Sequence, residues 1–145
     1  MKKCQLTLAV LFLSLTLVAC APSGSSTSEL SPREILEILE TTANEQDLEG
    51  TMALFAEDAV LEESYKNFTI EGTEELERFW KGYYSTEPTG EFRDISVDGD
   101  TSTFNWAEIF KTHSKLWPAI IEVQNGKITY LDFYEDGTTV FAGEE

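Results

Sequence analysis

The 145-residue sequence predicts an α+β domain in which a curved antiparallel sheet wraps around N-terminal helices. Two observations carry that expectation. Behind capping signals, apolar residues recur at helical spacing between Ser31 and Tyr83, with one short strand-like interruption. From Gly90 onward the pattern changes to strand-like runs separated by turn residues. The length suits about one domain, with a core large enough to fold alone.

Ahead of that domain, residues 1–19 read as a secretory signal, with Lys2 and Lys3 leading an apolar stretch from Leu6 to Ala19. The stretch falls short of the roughly twenty residues that a membrane-spanning helix requires. It ends in Leu17-Val18-Ala19-Cys20, which resembles a bacterial lipobox. That resemblance implies a lipoprotein whose Cys20 is acylated, palmitate included, and becomes the first mature residue. One acyl chain binds a bilayer only marginally, so several chains on Cys20 would supply the anchor. Residues 20–31, lipidated cysteine and small polar run together, form a flexible tether with nothing to bury. The expected address is the cell membrane or outer membrane, with the domain extracytoplasmic. Cys4 leaves with the signal and Cys20 carries lipid, so no thiol remains for a disulfide, a metal or a nucleophile.

The folded part is expected over residues 32–140. Ser31-Pro32-Arg33-Glu34 is a capping box with proline at the first helical position, and Ile35, Leu36, Leu39, Thr42 and Ala43 form one stripe. A first helix from Pro32 to about Asn44 follows. Asp47 can cap a short second helix carrying Leu48, Met52 and Phe55. Ala59 to Tyr65 reads as a strand, and Thr73 as the cap of a third helix with Leu76, Phe79, Trp80 and Tyr83 on one face. Strands from Phe92 to Val97 and from Ser102 to Thr112 flank Asp98-Gly99-Asp100. Strands from Leu116 to Gln124 and from Lys127 to Tyr134 flank Asn125-Gly126, which suits a type I′ turn.

With 27 acidic against 10 basic residues the net charge is −17, spread along the chain rather than held in a tail. No cluster offers the basic face that phosphate binding needs, so nucleic acid is an unsuitable partner. The charge otherwise serves solubility and repels anions. Metal binding has little support from a single histidine and no free cysteine, and no cofactor is implied. His113 follows a strand and reads as a turn residue. Asn67-Phe68-Thr69 matches a glycosylation acceptor, which the lipobox makes incidental.

The segments DLEGTMALFAEDAVLEE, IEGTEELERFW and NGKITYLDFYED, in this order, resemble the SnoaL-like branch of the nuclear transport factor 2-like superfamily. The likeness spans about residues 32–136 and consists of hydrophobic and turn positions, so it specifies fold rather than function. It implies a cystatin-like α+β roll: a cone of bent sheet around a long helix, with an apolar cavity at its open end. Members include polyketide cyclases, ketosteroid isomerase, dehydratases, ligand binders and dimerisation modules.

That cone gives FAEDAVLEE a geometric question. In a strand Ala59, Leu61 and Glu63 share one face and Val60 and Glu62 the other, and both faces begin apolar. The resemblance chooses between them, because Glu63 falls where ketosteroid isomerase carries its general base. A carboxylate in an apolar pocket suits proton abstraction next to a carbonyl. Such a base works with an oxyanion hole of a tyrosine and a protonated aspartic acid. Here the tyrosine position falls on Leu39 and the acid position near Ala119, and neither side chain can donate a hydrogen bond.

Asp132 shares alternation with Ile128 and Tyr130 and could face the cavity opposite Glu63, or face water. The expected pocket wall is Leu39, Phe55, Leu61, Trp80, Trp106, Trp117, Ala119 and Tyr130, with tyrosines and tryptophans able to keep their polar ends wet. The function expected is binding of a small apolar ligand or a protein partner, a homodimer through the sheet included. The alternative is an isomerase, cyclase or dehydratase of a small hydrophobic substrate using Glu63 or Asp132 as acid or base.

Overall fold

A computed structural model describes residues 29–110 and 113–141. The signal segment and Cys20 lie outside the described residues. In chain order the elements are α1 (Pro32–Glu45), α2 (Leu48–Met52), β1 (Phe55–Glu63), a 3-10 turn (Ser64–Lys66), β2 (Phe68–Glu71), α3 (Thr73–Tyr84), β3 (Gly90–Asp98), β4 (Thr101–Ile109), β5 (His113–Gln124), β6 (Lys127–Phe133) and β7 (Thr138–Phe141). The expected α+β layering is present, with the helices ahead of the main run of strands.

Local chemistry explains the helix boundaries. The Ser31 side chain accepts from the Glu34 amide while the Glu34 carboxylate takes the Ser31 amide, and Gln46 closes α1 in the left-handed conformation. Asp47 caps α2 by accepting from the Gly50 amide. Gly72, at φ 85°, occupies the cap of α3, so the expectation for Thr73 shifts by one residue. Thr73 instead gives its hydroxyl to the Glu57 carbonyl on β1.

The sheet runs β2-β1-β6-β5-β4-β3, with β7 paired to β5 off that path. Among the described strands β1 and β6 form the one parallel pairing, because the chain returns to β1 only after β2, α3 and three further strands. The curvature has visible causes. Register shifts interrupt β1 between Phe55 and Val60, β3 between Arg93 and Ser96, and the β5–β6 ladder between Glu122 and Val123. Such irregularities bend a strand and increase its twist. Asp94, inside the β3 shift, sits at φ 54° and accepts from Asn105 at 2.9 Å. At the β5–β6 turn Asn125 and Gly126 have φ of 52° and 70°, the two positive values a type I′ turn needs. Glu29 and Leu30 pass directly over this turn, where a Cβ on Gly126 would stand 3.0 Å from the Leu30 amide nitrogen.

The concave face of the sheet holds α1 and α3. Ile35, Leu36 and Leu39 from α1 meet Leu61, Ile121 and Leu131 from the strands, and all six are fully buried. The helices are also pinned by polar contacts: Thr51 bonds Thr42 at 2.9 Å and Tyr84 at 2.6 Å, tying α1, α2 and α3 together. Asn44 exchanges two hydrogen bonds with the backbone of Gly90, strapping α1 to the start of β3.

Candidate functional site

An open cavity of about 360 Å³ lies at one end of the cone. Each wall follows from strand or helix spacing. Phe79, Trp80 and Tyr83 project from one face of α3; Trp106 and Glu108 alternate along β4; Trp117 lies opposite Trp106 on β5, and Phe133 ends β6. Glu63, at the end of β1, and Lys66, in the 3-10 turn, complete the rim. All three tryptophans of the chain are therefore on this wall. Trp80 stacks on Trp106 at 5.9 Å, and Tyr83 meets Trp106 edge-on at 5.4 Å.

Two carboxylates face this aromatic space. Glu108 accepts the Tyr83 hydroxyl on one oxygen and the Trp117 indole N–H on the other, each at 2.8 Å. Burial, and after it the Glu108 charge, pushes the Tyr83 phenol far above the ordinary tyrosine range, so it remains a donor. Glu63 accepts from Lys66 at 2.9 Å and from the Tyr65 hydroxyl at 3.2 Å. The Tyr65 hydroxyl, followed by Glu63, raises the Lys66 ammonium above its ordinary value. The Lys115 ammonium lies 3.8 Å over the Trp117 ring and 3.6 Å from Asp136. The Trp80 indole N–H is buried without a hydrogen-bond partner. Among the described residues no cluster of histidine, cysteine or carboxylate groups could hold a metal ion.

Strand parity places Glu63 on the cavity side, following Ala59 and Leu61, both fully buried. Glu62 points the other way, but it is half-buried rather than in water, since Tyr130 and Thr69 donate to its carboxylate. Trp80, Trp106 and Trp117 stand on the wall. Leu39, Phe55, Leu61 and Ala119, expected on the wall, lie instead in the core behind it, their side chains covered by packing between sheet and helices, with Phe55 6.0 Å from Trp80.

Tyr130 is a further correction, and of the two sides left open for Asp132 the cavity side is excluded. Tyr130 lies on the outer face with Glu62, and Asp132 faces outward beside it, because one extra residue on β6 opposite Glu122 and Val123 reverses the alternation after Ile128. Asp132 is nonetheless 6% exposed: it accepts the Ser64 amide at 3.0 Å and the Ser64 hydroxyl at 2.7 Å. It anchors the 3-10 turn rather than facing Glu63 across the pocket. His113 begins β5, its ring stacked on Phe110 at 4.7 Å.

Sequence reasoning passed over Glu108 and Lys66. For Glu108 the signal was available: it continues the inward alternation of Phe104 and Trp106 on β4. Lys66 carried none, because its place depends on the tight turn after Glu63.

Comparison with solved structures shows the same cone in several proteins. A candidate ketosteroid isomerase from Kribbella flavida is 18% identical, with 78% of each chain covered and a TM-score of 0.63. The epoxide hydrolase/cyclase-like enzyme SalBIII, with a role in pyran ring formation in polyether salinomycin, is 18% identical over 77% of this chain and 90% of its own, at a TM-score of 0.62. A de novo designed protein with a curved β-sheet is 24% identical over 74% and 88%, at 0.61. These likenesses carry the fold alone, as the designed protein makes plain. No curated protein matches the sequence. The bent sheet around α1, the cavity at its open end and a sequence match over residues 35–131 agree: the chain belongs to the SnoaL-like domain family, of nuclear transport factor 2-like fold.

Proposed function

We propose that this is a membrane-anchored, extracytoplasmic lipoprotein whose SnoaL-like domain binds a small, flat, largely apolar ligand. The observation that carries the reading is the cavity, about 360 Å³ and walled by Phe79, Trp80, Tyr83, Trp106, Trp117 and Phe133. Small-molecule pockets are concave and mostly apolar, with a few polar groups that set orientation, and Glu63 and Glu108 fit that description. Docking of a protein partner or a second copy through the sheet has less support, since Glu62, Glu122 and Tyr130 make its outer face polar.

A second reading is an isomerase, cyclase or dehydratase with Glu63 as base, favoured by its place on the wall and in keeping with the chemistry named for two structural neighbours. Against it, Leu39 and Ala119 are buried apolar residues where ketosteroid isomerase has its oxyanion donors. Losing one such donor typically costs a hundred- to a thousandfold in rate. Their absence weighs against the ketosteroid isomerase reaction in particular, whereas a binding pocket needs neither donor.

Native mass spectrometry on protein purified from its own cells tests the reading. A small-molecule adduct that Trp117→Ala weakens is the expected result. A bare mass, unchanged after incubation with an apolar extract of the same cells, would count against a ligand pocket.

A further inference from the structure

We propose that the ligand is a cation: a flat ring system carrying a quaternary or protonated nitrogen that sits against Glu108 and the tryptophan faces. This rests on the pocket reading above and adds the charge of what the pocket selects.

The argument starts at Glu108. Its two oxygens are held by Tyr83 and Trp117, both neutral donors. Among the described residues no ion pair reaches it. The nearby lysines are engaged elsewhere, Lys66 with Glu63 at 2.9 Å and Lys115 with Asp136 at 3.6 Å. Lys115, opposite Glu108 across the β4–β5 ladder, turns its ammonium to Asp136 and the Trp117 face, so among the described residues Glu108 presents an oriented carboxylate with no direct ion pair to a half-enclosed aromatic space. A charge there interacts more strongly than it would in water, and the missing partner is positive.

The aromatic wall favours the same sign. A cation over a tryptophan face is attracted by the ring quadrupole. The Lys115 ammonium, 3.8 Å above the Trp117 ring, already makes such a contact on this wall. The chain's net charge of −17 draws cations toward the mouth and repels anions. On the wall Lys66 offsets Glu63, and a carboxylate ligand beside Trp117 would still meet the charge of Glu108, which disfavours it there.

The test uses three flat bicyclic probes of similar outline: N-methylquinolinium, 1-methylnaphthalene and 1-naphthoate, each titrated calorimetrically into the unmodified protein at low and high salt. The cation should bind at least about tenfold more tightly than the neutral probe, with affinity falling as salt rises, and naphthoate should not bind. Glu108→Gln, checked for folding by circular dichroism, should erase the preference while keeping an acceptor for Trp117. Methylnaphthalene binding as tightly as the cation, or naphthoate binding more tightly, would overturn the charge assignment and leave the pocket reading standing. Failure of all three probes to bind would overturn both.

Discussion

Glu62 and Glu63 are neighbours in the chain and face opposite sides of the sheet, Glu62 bonded to the Tyr130 hydroxyl at 2.7 Å and Glu63 turned to the cavity beside Lys66 at 2.9 Å. Half of the Lys66 side chain is in water, so solvent screens that ion pair. Glu63→Gln and Glu62→Gln should each change stability by less than about 1 kcal/mol in urea denaturation. The pair also separates the two functional readings. A binding pocket tolerates Glu63→Gln, whereas an enzyme using Glu63 as its base would lose most of its turnover, with Glu62→Gln harmless in either case.

Asp132 is the more sensitive acid. Removing it strands the Ser64 amide and hydroxyl, which it holds at 3.0 and 2.7 Å. Asp132→Ala should cost about 1–3 kcal/mol, and Asp132→Asn, which keeps one acceptor, distinctly less. Equal losses for the two would mean that the anchor acts through charge rather than through its hydrogen bonds. Thermal denaturation of both variants decides the matter.

Gly90 leaves no room for a side chain. A Cβ there would lie 2.6 Å from the Ala107 carbonyl oxygen and 2.8 Å from the Trp106 Nε1. Gly90→Ala should therefore separate β3 from β4, at a cost of about 1–3 kcal/mol, and disturb Trp106. A shift in tryptophan emission accompanying the lower melting temperature is the expected signature.

Alkaline pH should weaken the fold. Tyr83, Tyr84 and Tyr130 all have phenols raised above the ordinary value of 10.0, with burial the leading cause in each. Below that value the phenols are protonated in both the folded and unfolded chains, and this contribution is constant. Above about pH 10 the unfolded chain releases protons that the folded chain still holds, so stability falls as pH rises. Urea midpoints between about pH 8 and pH 11 should drop past pH 10, and less steeply in Tyr83→Phe. A midpoint constant to pH 11 would contradict the assignment.

The anchor is tested in the cell. Cys20→Ala should release the domain from membranes or leave an unprocessed precursor, with the fold intact, since α1 and its cap begin only at Ser31. A mature variant still firmly held in the membrane fraction would refute acylation of Cys20.

Features written into local chemistry were legible in the sequence. The Ser31–Glu34 capping box, the Asp47 cap and the Asn125-Gly126 turn are contacts within four residues, so residue type alone announces them. The short edge strand β2 has little apolar patterning of its own and forms by pairing with β1, and β7 likewise pairs with β5. Such strands depend on partners far away in the chain. The side expected of Tyr130 failed, and that of Asp132 stayed open, for a related reason: alternation reads parity correctly until an extra residue reverses it. That residue is visible only in the pairing of β5 with β6.

The passage of Glu29 and Leu30 over Gly126 also fixes where the folded part meets whatever precedes it. The Asn125-Gly126 turn opens β6, and Phe133, at the far end of that strand, lines the cavity. Seven residues of strand at about 3.3 Å each set the chain's point of entry and the mouth roughly 20 Å apart, at opposite poles of the domain. An anchor at Cys20 would thus hold the molecule by its closed pole.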